Sequence, residues 1–148
     1  MGRRVDSAHI IYADCPCPGP SRGDLALAIT FHSVLSPVLT TAVAFVESTY
    51  RCDVVSHAGA IGLMQIRPIA AADVGEPRAD LLDCAVSVRI GSTYLKGLID
   101  RFGETDGLRA YNCGPTGARR NPQCGAAYAE KVLDTRDALR ENWEAPWE

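Results

Sequence analysis

Glu47 has the clearest potential for chemistry, because it ends an apolar run and precedes a loop of small residues. Val43 and Val46 belong to the run, and the stretch 53–62 that follows contains two glycines. Glutamate is almost never fully buried without a partner. Partial burial raises the pKa of a carboxyl group toward the value that a general acid needs at neutral pH. The position makes Glu47 a candidate general acid, and an ordinary surface glutamate is the alternative.

Helical spacing of apolar residues predicts the elements that position this carboxyl. Asp24 is placed to cap a first helix that reaches about Val34. Ser36, followed by proline, is placed to cap a second helix that reaches about Tyr50. The second helix carries one buried stripe with Glu47 at its edge: Leu39, Val43, Val46 and Tyr50.

The strongest periodicity follows further along the chain and predicts a core helix that ends at Gly103. Its apolar positions alternate spacings of three and four: Val88, Gly91, Leu95, Leu98 and Phe102. Short helices are predicted from Pro68 to Val74 and from Thr105 or Asp106 to about Asn112, and a last one covers 126–140. No strand-like alternation occurs. The prediction is a mainly α fold, with an irregular arm over 1–23 and one domain over 24–148.

Composition excludes several classes of partner. The 148 residues carry a formal net charge of −3, which provides no electrostatic footprint for nucleic acid. The uncharged stretch 25–46 is interrupted by polar residues and proline, so no stable membrane span is expected. The first 24 residues contain Asp6 and Asp14 and no apolar core, so they do not match an export signal.

Six cysteines in so short a chain favour disulfides or buried thiols over a metal site. Cys15 and Cys17 are separated by one residue, which is not the spacing of a zinc knuckle, and the three histidines form no ligand pattern beside them. We expect no metal and no cofactor. Bonds between Cys113 and Cys124 and between Cys52 and Cys84 are proposed, and free thiols remain the alternative.

Three segments in order resemble the signatures of the soluble lytic transglycosylase family. They are "ES" at 47–48, "SHAGAIGLMQI" at 56–66 and "AYNCGP" at 110–115, and "IGSTYLKGLIDRFG" at 90–103 is similar to the core helix between the second and third. The resemblance covers about 36–132. It implies a lysozyme-like fold with a substrate cleft.

The resemblance also implies roles at matching positions. Glu47 corresponds to the single catalytic acid, and the hydroxyl of Tyr111 is expected to approach its carboxyl. Ser56 corresponds to a polar residue that lines the cleft. The other residues expected at the substrate are Met64, Gln65 and Asn112. Arg67 departs from the methionine or asparagine of many relatives, so a more polar cleft wall is expected there.

The matched segments contain one carboxylate, whereas most glycosidases use two. The resemblance implies that the substrate's acetamido oxygen replaces the second carboxylate. Peptidoglycan glycan strands would then be cleaved between N-acetylmuramic acid and N-acetylglucosamine, leaving a 1,6-anhydromuramoyl end. One alternative is a lysozyme-type hydrolase with Asp53 as its second acid, but no motif places Asp53 in the cleft and a solvent-exposed loop aspartate is the preferred interpretation. The other alternative is a non-catalytic glycan-binding module. The expected location is the periplasm or cell envelope, with an envelope secretion machine or a phage particle as candidate partners.

Overall fold

The computed structural model describes residues 22–143 and consists of seven helices in that range. Cys15 and Cys17, and most of the predicted arm, lie outside the described residues. The helices are α1 (Arg22–His32), α2 (Pro37–Ser48), α3 (Pro68–Asp73), α4 (Cys84–Phe102), α5 (Glu104–Cys113), α6 (Pro115–Arg120) and α7 (Ala126–Glu141). Two isolated antiparallel bridges are the only β pairing among these residues, so the predicted mainly α class is confirmed.

Most predicted helix boundaries agree with the structure to within two residues. The Ser36 side chain caps α2 by accepting a hydrogen bond from Leu39 N, as predicted. Two predicted caps were wrong. The first helix begins at Arg22, so Asp24 lies in its first turn, where its charge complements the helix dipole. Helix α5 begins at Glu104, directly after Gly103 ends α4.

Helix α6 was not predicted, because its six residues are too few to show an apolar period. Pro115 begins it, and no residue of the helix is buried. The adjacent arginines Arg119 and Arg120 form its last turn and are exposed.

Helix α4 is the central element of the core. Val88, Ile90 and Leu95 are fully buried in it. It packs against α1, α3 and α5, while α7 packs against α2 and α5. The end of α2, which carries Glu47, is therefore held between α7 and the loop at 49–67.

That loop is fixed by close packing as well as by its bridges. Ile61 pairs with both Val55 and Ile66. Gly62 has φ +77°, and a Cβ there would collide with the carbonyl oxygen of Leu81. Glycine is required at this point for both reasons. Among the described residues, no helix combines the length and apolarity needed to cross a membrane.

Candidate active site

Glu47 lies in the last turn of α2 and is partly buried. The helix ends at Ser48, and the next residue, Thr49, adopts a left-handed conformation with φ +51°. Burial raises the pKa of Glu47 from 4.5 to about 7, and interaction with the hydroxyl of Tyr128 opposes part of that rise. The Glu47 carboxyl is therefore protonated in much of the protein at neutral pH, and the protonated form is the one that a general acid requires.

Tyr128 was not among the predicted site residues. It lies in α7, and its hydroxyl is buried without a hydrogen bond of ordinary length and angle. Its interaction with the Glu47 carboxyl lowers the pKa of that group, but burial is the larger effect and the pKa remains raised. The sequence contained a signal for this residue, because Tyr128 belongs to the same helical stripe as Val132, Thr135 and Leu139, all of which are buried.

Tyr111 lies close to the carboxyl, but its hydrogen bond goes elsewhere. Its hydroxyl donates to the main-chain oxygen of Met64 at 2.7 Å. Burial raises the pKa of Tyr111 well above its usual value, and the charge of Glu47 raises it further. The ring packs against Tyr94, with centroids 5.8 Å apart. Tyr111 is thus fixed as a neutral phenol next to Glu47.

Ser48, the neighbour of Glu47, joins α2 to the loop. Its buried hydroxyl lies 2.7 Å from Leu63 O and 3.0 Å from Ala44 O. Met64 N donates to the hydroxyl of Ser87 in α4 at 3.1 Å. Ser48 and Ser87 therefore hold the Leu63–Met64 turn between two helices.

The structure places the side chain of Met64 in the core instead of at the substrate. It is fully buried, and a Cβ at Gly91 would lie 2.6 Å from its sulfur. The predicted substrate contact is not available to this side chain, because the glycine in α4 leaves room for it to turn inward. Its main-chain groups support the site through Ser87 and Tyr111.

Gln65 is partly exposed in the same turn, with the left-handed φ of +51° that is uncommon for a residue with a side chain. Its Nε2 donates to Gly62 O at 2.9 Å and to Val54 O at 3.1 Å. The amide nitrogen therefore closes the loop on itself, while the amide oxygen makes no hydrogen bond among the described residues.

The two remaining predicted residues lie at the surface, Ser56 in the loop 49–67 and Asn112 on α5. Ser56 is partly exposed, and its hydroxyl accepts a hydrogen bond from Ala60 N at 3.0 Å, closing the turn 56–60. Asn112 is exposed in the last turn of α5, next to Tyr111. Arg67 is also exposed, at the N-cap of α3.

Asp53, the candidate second acid, has a side chain that is 66% exposed and lies 3.6 Å from Arg51. Among residues 22–143, no second carboxylate contributes to the pKa of Glu47. Two carboxylates that share a site raise one another's pKa through like-charge repulsion. The chemistry available here is thus that of one protonated carboxyl beside two neutral phenols.

Both proposed cysteine pairs lie at disulfide distance, with Cα atoms 5.4 Å apart for Cys52–Cys84 and 6.2 Å apart for Cys113–Cys124. The first ties the chain just beyond α2 to the start of α4. The second closes the loop that contains α6. Within the described residues, no group of three or more histidine, cysteine, aspartate or glutamate side chains is arranged to hold a metal.

Comparison with known proteins identifies the family. The Transglycosylase SLT domain model matches residues 27–133, so the chain belongs to this soluble lytic transglycosylase family. The 70 kDa soluble lytic transglycosylase of Escherichia coli has the same fold, with a TM-score of 0.66 and 24% identity over 80% of this chain. The predicted family and lysozyme-like fold are both confirmed.

A second similar structure is the lytic transglycosylase Slt of Pseudomonas aeruginosa, solved as an inactive mutant in which a glutamate is replaced by glutamine. Its TM-score is 0.55, with 25% identity over 82% of this chain. The chain spans 24% of the Escherichia coli protein and 22% of the Pseudomonas protein, so it corresponds to about a quarter of each.

Proposed function

We propose that this chain is a peptidoglycan lytic transglycosylase domain that cleaves the β-1,4 bond between N-acetylmuramic acid and N-acetylglucosamine without water. The observation that carries the proposal is the partly buried Glu47, whose pKa is raised to about 7. No other carboxylate in the part of the chain that the structure describes contributes to that rise. Membership of the SLT family supports the substrate class. The inactive glutamate mutant of the Pseudomonas relative supports a glutamate as the essential acid.

In the first step, the protonated carboxyl of Glu47 gives its proton to the glycosidic oxygen as the bond from that oxygen to C1 breaks. The acetamido oxygen of the muramic acid forms a bond to C1 and takes up the developing positive charge. Glu47 is left as a carboxylate. The Tyr128 hydroxyl, which interacts with the Glu47 side chain, stabilises that charge, whereas the Tyr111 hydroxyl donates its proton to Met64 O.

In the second step, the C6 hydroxyl of the same sugar attacks C1 and transfers its proton to Glu47. The bond from the acetamido oxygen to C1 breaks, and the 1,6-anhydro ring closes. Glu47 is protonated again and no water has been consumed. An intramolecular nucleophile is favoured by its high effective concentration.

The other predicted residues have supporting roles in this proposal. Tyr111 and Ser48 fix the turn that follows Glu47, and the oxygen of Gln65 contacts the sugar. Ser56 and Asn112 line the cleft.

Residues 24–148 form the catalytic domain and residues 1–23 form an arm. The site of action lies outside the cytoplasm, at the cell wall. An envelope secretion machine or a phage particle is the proposed context.

The test is digestion of purified peptidoglycan by the wild type and by Glu47→Gln. Glu130→Gln is the matched control, because Glu130 is exposed on α7. The control should cleave as the wild type does, and Glu47→Gln should lose about 10²- to 10⁴-fold, the usual contribution of a general acid. A Glu47→Gln enzyme that keeps more than about a tenth of the activity would exclude this role.

A further inference from the structure

A pocket lies where α4, α5 and α6 meet, and is termed the α4–α6 pocket. It has a volume of about 150 Å³. Cavities of this size can hold a group as large as a benzene ring. Its apolar lining residues are Phe102, Ala110, Pro115 and Ala118. The proposed function leaves this pocket without an occupant.

The pocket is on the side of α5 that is turned away from the candidate active site. Asp106, Arg109 and Ala110 line it, and their spacing of three and four residues places them on one face of the helix. Tyr111, which lies next to Glu47, is about 150° around the helix axis from the middle of that face, at 3.6 residues per turn. A ligand in the pocket is therefore separate from the glycan that Glu47 cleaves.

Arg109 fixes the wall of the pocket that α6 forms. Its Nη2 donates to Ala118 O at 2.9 Å and to Asn121 O at 2.8 Å, and its Nε donates to Cys124 O at 3.0 Å. Cys113 and Cys124, at disulfide distance, close the same segment. A six-residue helix without buried residues is not stable by itself, so these contacts give the pocket its shape before a ligand arrives. A preorganised site loses less entropy on binding.

The charges left at the edge of the pocket are positive. Arg109 Nη1 donates to the Asp106 carboxylate at 2.9 Å, so these two lining charges compensate each other. Arg119 also lines the pocket, is exposed and has no ion-pair partner among residues 22–143. Arg101 adds a second exposed cation, since its guanidinium carbon lies 4.8 Å from the centroid of the Phe102 ring. Although the whole chain has a net charge of −3, this edge therefore favours an anion.

We propose that the α4–α6 pocket binds the C-terminal residue of a partner polypeptide, with the carboxylate on Arg119 and an apolar side chain against Phe102. A guanidinium group binds a carboxylate through two parallel hydrogen bonds. The apolar lining favours a carboxylate that carries an apolar group over an inorganic anion such as phosphate, because only the former buries apolar surface there. The proposal does not depend on the proposed function, because the pocket is turned away from Glu47.

The experiment titrates the isotope-labelled full chain with N-acetyl-L-leucine and follows the backbone amide signals by NMR. Three further probes each change one feature. N-acetyl-L-leucinamide lacks the charge, N-acetylglycine lacks the apolar side chain, and N-acetyl-D-leucine has the hand of the residues that end cell-wall peptides.

Three variants accompany the probes. Arg119→Gln removes the cation, and Ala118→Leu fills the pocket without changing its charge. Arg120→Gln is the matched control, because Arg120 is exposed on the same helix but does not line the pocket.

N-acetyl-L-leucine should shift the signals of α6 and of the end of α4. It should bind about tenfold more tightly than the leucinamide or the glycine probe, the contribution of one charge-assisted hydrogen bond or one buried apolar side chain. Arg119→Gln and Ala118→Leu should each weaken its binding by about tenfold, and Arg120→Gln by less than about twofold.

Equal binding of the acid and its amide, or equal effects of Arg119→Gln and Arg120→Gln, would overturn the pocket as a carboxylate site. Signal shifts confined to the surroundings of Glu47 would do the same. Binding of the D isomer as tight as that of the L isomer would overturn a protein C terminus as the occupant. Peptidoglycan cleavage is not part of this measurement, so failure here leaves the proposed function untouched.

Discussion

The hydroxyl of Tyr111 donates a 2.7 Å hydrogen bond to the main-chain oxygen of Met64. Helices α3 and α4 lie between these two residues in the sequence. The bond joins the end of α5 to the turn that follows Glu47. The phenol of Tyr111 lies next to the Glu47 carboxyl, but its hydroxyl proton is donated to the backbone. Tyr111 therefore fixes the position of the turn, and its charge state depends on Glu47 only through space.

Tyr111→Phe should destabilise the protein and slow cleavage while leaving the product unchanged. The substitution leaves a carbonyl in the core without its donor, which costs about 1–3 kcal/mol in the free energy of unfolding. Urea unfolding and product analysis measure the two effects. An unchanged free energy of unfolding would show that this hydrogen bond is replaced, for example by water.

Tyr128→Phe should behave differently, because the Tyr128 hydroxyl makes no ordinary hydrogen bond. Its interaction with the carboxyl lowers the pKa of Glu47, so removing it should raise that pKa above about 7. The loss of activity at alkaline pH should then move to higher pH, with little change in stability. Activity against pH for both tyrosine variants tests this, and an unshifted profile for Tyr128→Phe would contradict it.

Wild-type activity should decline as the pH rises through about 7, because Glu47 must carry a proton for the first step. Initial rates of peptidoglycan turbidity loss measure the profile. A decline centred near the pKa of an ordinary glutamate, about 4.3, would show that burial does not protect this proton.

Folding stability should report the same pKa independently of activity. The folded protein keeps a proton on Glu47 between about pH 4.5 and pH 7 that the unfolded chain has lost. The free energy of unfolding should therefore fall as the pH rises through this window, by about 3 kcal/mol in total. Glu47→Gln removes that fall and should be more stable than the wild type at about pH 8 but similar at about pH 4.

Urea unfolding at both pH values measures this, with Glu130→Gln as the control. Glu130 is exposed, so its replacement should leave the difference between the two pH values as in the wild type. Parallel behaviour of Glu47→Gln and the control would show that Glu47 titrates as a solvated group.

Sequence periodicity predicted the long elements well and the site's contacts less well. The stripe of α4 was correct because Val88, Leu95 and Leu98 are buried by helical geometry alone. The start of α1 and the presence of α6 were missed, because short or weakly amphipathic helices are decided by tertiary packing. Both cysteine pairs were proposed from the elements they would join.

Within the candidate site, the helix, stripe and loop around Glu47 are local features that made it a candidate acid, and the resemblance to the family assigned it the role. The inward turn of Met64 was not, because it depends on Gly91, a residue 27 positions away that leaves space in another helix. The hydrogen bond of Tyr111 to a backbone oxygen likewise depends on tertiary structure. Tyr128 belongs to the buried helical stripe of α7, but none of the signature segments of the family contains it.

Mass spectrometry of muropeptides from a complete digest tests the central claim most directly. If Glu47 acts alone and the C6 hydroxyl captures the intermediate, the products should be about 18 Da lighter than hydrolysed muropeptides, the mass of one water. Predominantly reducing muramic acid ends would contradict the account, because they would show that water attacks C1 and that a second base such as Asp53 takes part.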